Sequence, residues 1–108
     1  MNFDPSRKTA DLLSICIKAG KAVKGFDSAC EAAEKGTASC LLTASDASDK
    51  TVKEAVFTGN KYSVPVYRII LTKDEIARLC GKSTAVVAVT DKGFAEGFRK
   101  IISQSEMT

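Results

Sequence analysis

The sequence predicts an α/β fold: a three-layer α/β/α sandwich with a small mixed, mostly parallel four-stranded sheet. Short apolar runs alternate along the chain with segments whose apolar residues recur at helical spacing. Such alternation is typical of strands that are covered on both faces by helices. The 108 residues, 44% of them hydrophobic, suffice for a single domain over residues 1–108 with a buried core. We expect flexible ends at about residues 1–5 and 103–108.

The first third of the chain predicts two helices with a short basic segment between them. Helix one is predicted between Ser6, as an N-cap residue, and Gly20, as a helix stop. Residues 21–24 are long enough only for a minor strand. Helix two is predicted over about residues 26–35, because apolar residues recur there at i, i+3, i+4 and i+7, and Gly36 ends it.

The rest of the chain continues the alternation of strands and helices. A buried strand, a polar turn rich in N-cap residues and helix three come first, and Thr72 and Glu75 form a capping box that opens helix four. The last strand is the most apolar and is predicted to be central. The elements are a strand at 39–44, a turn at 45–49, a helix ending near Tyr62, a strand at 66–70, a helix from Thr72 to Gly81, a strand at 84–89 and a helix from Asp91 to Ile102.

The composition argues against an enzyme and against a membrane protein. The chain contains no histidine, the commonest general base and metal ligand, and no nucleophile elbow or phosphate-binding glycine loop. No apolar run approaches the ~20 residues of a membrane span and no secretory signal is present, which predicts a cytoplasmic protein. We also expect no cofactor and no metal. Four scattered cysteines are expected to be reduced core residues: Cys16, Cys30, Cys40 and Cys80.

The most informative segment is a basic turn that leads into helix two. Lys18, Lys21 and Lys24 lie three residues apart, and Gly25 opens the helix. A helix N-terminus beside lysines binds anions such as phosphate groups, because its first amide groups have no partners within the helix. The net charge of +3 permits a nucleic-acid partner but does not require one. The alternative is that these lysines only solvate the surface.

Two further loops are predicted to lie near this turn. Loops at one end of the sheet of such a sandwich come together, which would place Gly25, Asp46 and the loop after Gly81 on one surface. Lys82 and Ser83 add a basic and a polar side chain to that loop. The acidic residues around Asp46 could bind a cation, but a turn that caps the next helix explains them better.

Several segments, in this order, resemble a known family: AGK, KG, ASDAS, the VPV strand start, GKS and AVTDKGF. Together they resemble the ribosomal-protein-like family that recognises kink-turn RNA, and within it the small bacterial YlxQ-type branch. The resemblance covers roughly residues 8–102. It implies the α/β/α sandwich and a non-catalytic RNA-binding protein, for structured, kink-turn-like or ribosomal RNA and often within a ribosome or ribonucleoprotein.

The resemblance also implies where RNA would bind. In the family, a basic residue and a glycine precede an Asn-Glu pair that contacts the guanines of sheared G·A pairs, and a lysine follows one helical turn later. Here Lys24 and Gly25 match, but Asp27 and Ser28 stand at the Asn-Glu positions and Glu31 stands at the lysine position. We therefore predict an RNA-binding protein with atypical base-reading residues.

The predicted RNA-binding set extends beyond this turn. Val52 keeps an apolar contact position on helix three, and Lys21, Lys24 and Lys82 are assigned to phosphate groups. The complete set is Lys21, Lys24, Gly25, Asp27, Ser28, Glu31, Val52, Lys82 and Ser83.

The residues around Asp27 and Glu31 can also be accounted for without RNA. Asp27 is a favourable charge at a helix N-terminus, and Glu31 and Lys35 form an i, i+4 pair in the stabilising orientation. The alternative function is accordingly a protein-interaction module of the same fold that has lost kink-turn recognition.

Overall fold

A computed structural model describes residues 4–106, with the side chains of residues 4–105. Nine elements follow in the predicted order. The helices are α1 (Pro5–Lys18), α2 (Phe26–Glu34), α3 (Asp49–Tyr62), α4 (Lys73–Cys80) and α5 (Lys92–Glu106). The strands are β1 (Ala22–Lys24), β2 (Cys40–Thr43), β3 (Val66–Arg68) and β4 (Val86–Val89). No described helix is long and apolar enough to cross a membrane.

The four strands form one mixed sheet in the order β1-β4-β2-β3. The internal position of β4, predicted from its apolar sequence, is confirmed. Strand β4 pairs antiparallel with both β1 and β2, whereas β2 and β3 are parallel. The sheet was predicted to be mostly parallel. Three of the four strands, β1, β2 and β3, run in the same direction, but two of the three strand pairings are antiparallel, so the prediction is wrong for the pairings.

The route of the chain through α4 explains the antiparallel pairings. Arg68, at the end of β3, lies beside Thr43, and Thr43 lies beside Val86, where β4 begins. The connection through α4 therefore starts and finishes at the same end of the sheet, so β4 must run back against its neighbours. Helix–strand alternation does not reveal this, because it does not show whether a crossover returns to the starting end.

Side chains of the two inner strands alternate between two hydrophobic clusters, one on each face of the sheet. Leu42 and Val87 point into a cluster with α1, α4 and α5. Leu41 and Ala88 point into a second cluster with α2, and α3 packs against α2 on that face. All residues of β2 and β4 are buried. The predicted three-layer α/β/α sandwich is confirmed.

The helix ends agree with the sequence at α4 and differ at α1 and α5. Thr72 Oγ1 accepts from the Glu75 amide and Glu75 Oε1 accepts from the Thr72 amide, each at 3.1 Å, so the capping box is confirmed. Helix α1 is capped by Asp4 rather than Ser6, because Pro5 occupies the first helical position, where no N–H is needed. Helix α5 continues to Glu106, past the predicted end at Ile102. The remaining predicted flexible ends, residues 1–3 and 107–108, lie outside the described residues.

The four cysteines are free thiols in two different environments. Cys16 and Cys40 are buried, whereas Cys30 and Cys80 are half-buried. Burial, with a smaller contribution from the charge of Asp91, raises the pKa of Cys16 to about 11. Burial raises the pKa of Cys40 to about 12, with a smaller contribution from Cys16. These two thiols are therefore core groups that stay protonated in the folded protein.

We expect a thiol-specific reagent at pH 8 to modify Cys30 and Cys80 in the folded protein and all four cysteines only after unfolding. Mass spectrometry after timed modification checks the sites. Because the folded pKa values of Cys16 and Cys40 exceed the ordinary value, the unfolded chain loses these protons first as the pH rises. The free energy of unfolding should thus fall from about pH 9 towards pH 12. Early modification of Cys40 would contradict the burial.

Candidate nucleic-acid interface

Four chain segments meet at one end of the sheet. The carboxyl ends of β1, β2 and β3 and the start of β4 all lie there, since Lys24 pairs with Val87 and Thr43 pairs with both Val86 and Arg68. Backbone hydrogen bonds join the segments, as in the 3.0 Å contact from the Gly25 amide to the Val86 carbonyl. The predicted meeting of three loops is confirmed. We call this surface the loop end, defined as residues 24–28, 44–48, 68–72 and 81–85.

The turn at Gly25 leaves the N-terminus of α2 open. Gly25 is the N-cap residue, with φ 102° and ψ 149°, and no side chain accepts a hydrogen bond from the first amide groups of the helix. The positive φ requires glycine here, although an added Cβ would meet nothing within 4 Å. The amide groups of the first turn can therefore donate hydrogen bonds to an anion, and the positive end of the helix dipole attracts it.

Lys24 connects this turn to the end of α4. Its side chain is exposed, and Nζ donates a hydrogen bond of 3.2 Å to the Cys80 carbonyl oxygen. That carbonyl belongs to the last turn of α4, where backbone oxygens have no partner within the helix. Lys24 therefore links the turn to the end of α4, and its positive charge lies between these two segments.

The segment after α4 supplies the second cation of the loop end. Gly81 ends the helix with φ 86°, a left-handed conformation that favours glycine. Lys82 and Ser83 follow, and both are exposed. The Cys80 thiol donates to the Lys82 carbonyl oxygen at 3.3 Å, which holds the backbone close to the helix end. The structure thus brings Lys24, Gly25, Lys82 and Ser83 together.

Asp27 and Ser28 also belong to the loop end, and Glu31 lies one turn further along α2. All three are exposed. Glu31 forms an ion pair with Lys35 at 2.5 Å, so the predicted i, i+4 pair is confirmed. Its hydrogen bond with Lys35, and then the charge of Lys35, lower the pKa of Glu31. This side of α2 therefore carries an ionised carboxylate paired with Lys35 where the family resemblance implies a lysine.

Two members of the predicted set lie away from this group. Lys21 precedes β1 and so lies at the opposite end of that strand from Gly25, about 13 Å away for four extended residues. Its carbonyl oxygen accepts from the Thr90 amide at 2.9 Å. Val52 is half-buried in the first turn of α3, where its side chain packs against the hydrophobic core. The regular spacing of the lysines does not indicate that a strand separates Lys21 from the turn.

The structure also explains Asp46 and adds a basic residue that the sequence analysis missed. Asp46 Oδ1 accepts from the Lys73 amide at 2.8 Å, so this carboxylate caps α4. Within residues 4–106 no group of three or more metal-binding side chains occurs. Arg68 is exposed at the end of β3, and its guanidinium donates to the Ser45 carbonyl oxygen. The strand was predicted over residues 66–70, with Arg68 in its middle, whereas β3 ends at Arg68, so the predicted bounds did not indicate that this residue stands at a strand end.

The sequence matches the profile of the Ribosomal protein L7Ae/L30e/S12e/Gadd45 family over residues 7–98. The chain belongs to this family. Two relatives of the L7Ae/L30e family support the bacterial branch that the sequence motifs resemble. RNA-binding protein YlxQ of Enterococcus faecium is 28% identical over 102 residues, covering 94% of this chain and 98% of the relative. RNA-binding protein YlxQ of Bacillus subtilis (strain 168) is 37% identical over 93 residues, covering 85% and 89%.

Solved structures of other proteins share the fold. A protein of unknown function from Bacillus halodurans superposes with a TM-score of 0.80 at 24% identity, covering 87% of this chain and 95% of that one. The Giardia lamblia 15.5kD RNA binding protein superposes with a TM-score of 0.75 at 19% identity, covering 99% and 92%. The L7Ae/L30e family and its YlxQ relatives, which are named for RNA binding, confirm the prediction that the chain is not an enzyme.

Proposed function

We propose that this protein binds structured RNA through its loop end. The observation that carries the proposal is the uncapped N-terminus of α2 at Gly25, with Lys24 and Lys82 beside it. Relatives that span nearly the whole chain are named RNA-binding proteins, which supports the same assignment. The site of action is the cytoplasm, on ribosomal RNA or another ribonucleoprotein RNA.

Each part of the loop end has a separate role in this proposal. Lys24 and Lys82 contact phosphate groups and fix the orientation of the RNA. The first amide groups of α2 donate hydrogen bonds to phosphate or base oxygens. Asp27 and Ser28 face bases that are unstacked in an irregular region, since a regular RNA helix offers few base edges to side chains. The Asp27 carboxylate accepts from the N1 and N2 groups of a guanine.

We further propose that the preference for kink-turns is relaxed. Asp27 accepts hydrogen bonds but lacks the donor of an amide, and Ser28 is too short to reach as a glutamate does. Glu31, held by Lys35, places an anion where phosphate groups would approach. The remaining contacts of Lys24, Lys82 and the α2 amides depend on backbone shape more than on base identity.

A binding titration tests both the proposed RNA binding and the proposed relaxed preference for kink-turns. The purified protein is titrated with a kink-turn RNA and with the same RNA in which the tandem G·A pairs are replaced by Watson–Crick pairs, at several salt concentrations. We expect binding to both, with a preference for the kink-turn of less than about 1.4 kcal/mol, which is tenfold. A duplex without any internal loop should bind more weakly than either. Absence of binding to all three RNAs at low salt would contradict RNA binding at the loop end.

Restoring the family's residues should raise the preference. The triple variant Asp27→Asn, Ser28→Glu, Glu31→Lys is expected to bind the kink-turn RNA about 10- to 100-fold more tightly, because a good base contact contributes roughly 1–3 kcal/mol. The matched control is Glu31→Lys alone, which alters charge without base contacts and should raise affinity for both RNAs equally. An unchanged ratio between the two RNAs in the triple variant would show that this turn does not face the G·A pairs.

A further inference from the structure

A groove between α2 and α3 forms a surface cavity with a volume of about 640 Å³. One wall is a stripe of α2 that starts in its first turn, and the other wall is the second half of α3. We infer that this groove, termed the α2–α3 groove, binds a basic peptide segment of another protein. Its charged side chains and its exposed ring belong to Asp27, Glu31, Glu34, Lys35, Phe57 and Lys61.

Phe57 is the apolar anchor of the α2–α3 groove. Its side chain is 69% exposed, more than any other exposed large hydrophobic residue of the described chain. Phe57 lies on α3 outside both hydrophobic clusters, and so it contributes little to the core. An aromatic ring buries about 150–250 Å² when it is fully covered, and such rings commonly dominate the energy of an interface. The exposed ring therefore marks a surface for an apolar group of a partner.

The charges around Phe57 indicate the chemistry of that partner. Lys35 pairs with Glu31 at 2.5 Å, whereas Lys61 Nζ lies 5.4 Å from the centre of the Tyr62 ring and keeps its charge. Asp27 and Glu34 form no ion pair with any other residue of the described chain. The charged side chains of the α2–α3 groove are thus three carboxylates and two lysines, a net charge of −1 beside an exposed ring, which favours a cationic partner.

The spacing of the two carboxylates defines the partner further. Asp27 and Glu34 are seven residues apart on α2, which is about 10 Å along the helix axis at 1.5 Å per residue. In a polyproline II segment, which has three residues per turn, two side chains three residues apart lie on the same face and about 9 Å apart, at 3.1 Å per residue. The segment that fits therefore carries two cationic side chains three residues apart, with an apolar side chain between them that packs on Phe57.

Nuclear magnetic resonance of the isotope-labelled protein, without RNA, tests this binding. The probe is a synthetic nine-residue peptide with arginines at its third and sixth positions and leucine at the two positions between them. A peptide with glutamates in place of the arginines is the charge control. We expect saturable shifts of amide signals confined to residues 27–34 and 57–62 with the basic peptide, and none with the acidic one. Shifts confined to another surface would overturn the inference.

Variants assign the contacts within the groove. Phe57→Ser and Glu34→Lys are each expected to weaken binding of the basic peptide by about tenfold or more, as for anchor residues of an interface. The matched controls lie on α1: Ile15→Ser removes an exposed apolar side chain, and Asp11→Lys reverses an exposed charge. Both controls should leave the affinity unchanged. Equal affinity of Phe57→Ser and the unaltered protein would overturn the inference.

Two further measurements separate this inference from other uses of the surface. The affinity of Phe57→Ser for kink-turn RNA should equal that of the unaltered protein, so the proposed RNA binding can fail without affecting the peptide result. A loss of RNA affinity in Phe57→Ser would identify the groove as an RNA surface. Sedimentation that shows a dimer dissociated by Phe57→Ser would identify a second copy of the chain as the occupant. Either result would overturn the inference.

Discussion

Gly59→Ala is expected to lower the free energy of unfolding by about 2 kcal/mol and the midpoint of thermal unfolding by about 10 °C. Gly59 is buried within α3, where that helix passes over the segment leading into β3. A Cβ at this position would lie 2.5 Å from the Val64 carbonyl oxygen and 2.5 Å from Val66 Cγ2. The carbonyl belongs to the backbone, so the helix and β3 must separate to make room. Helix preference for alanine recovers only ~1 kcal/mol.

Gly97→Ala is the matched control for this prediction. Gly97 is also an interior helix glycine, in α5, and its added Cβ would lie 2.9 Å from Leu12 Cδ2. The end of a leucine side chain can rotate away, whereas a backbone carbonyl cannot. We therefore expect Gly97→Ala to be within ~1 kcal/mol of the unaltered protein, and on the stabilising side if Leu12 adjusts freely. Chemical denaturation of both variants measures the difference. Equal stability of the two variants would contradict the close approach of α3 and β3.

The double variant Lys24→Glu, Lys82→Glu is expected to bind RNA about 100-fold more weakly, with roughly tenfold, or 1.4 kcal/mol, lost at each position. Both side chains are exposed, so the change acts on the RNA-facing surface and leaves the core intact. Each reversed charge removes a phosphate contact and adds a repulsion. The slope of log affinity against log salt should therefore fall by about 2 in magnitude.

Controls separate the position of the charges from their number. Lys18→Glu with Lys100→Glu changes the net charge equally, on exposed residues of α1 and α5 outside the loop end, and should weaken RNA binding much less. Lys24→Arg keeps both the charge and a donor for the Cys80 carbonyl and should bind normally. Thermal unfolding of each variant checks that the fold is retained. Equal losses in the two double variants would mean that RNA associates with the overall charge and not with the loop end.

The elements that could be predicted from the sequence are those specified by neighbouring residues. The capping box of Thr72 and Glu75 and the stop at Gly81 fix α4 through contacts within one helical turn. The apolar run of β4 predicts an internal strand, because only strands covered on both faces are apolar at every position. The pair of Glu31 and Lys35 follows from their spacing along one helix. All of these were correct.

The errors concern relations between residues that are distant in the sequence or that compete locally. Ser6 is a good N-cap residue, but Asp4 takes the role because Pro5 fits the first helical position. The antiparallel position of β4 depends on where α4 returns the chain, which no local pattern encodes. Lys21 stays a predicted phosphate contact, but the regular spacing of the lysines does not show that it lies at the other end of β1 from Lys24.

For this protein the sequence by itself determined the order of helices and strands, the family and the glycine turn at Gly25, because each depends on residues close together in the chain. Only the tertiary structure decided which cations surround that turn. Lys24 meets the end of α4 at Cys80, 56 residues further along, and so brings Lys82 to the turn. The exposure of Phe57 in a groove that acidic residues of α2 also line could likewise not be predicted, since helical spacing alone does not show which face a neighbouring helix leaves uncovered.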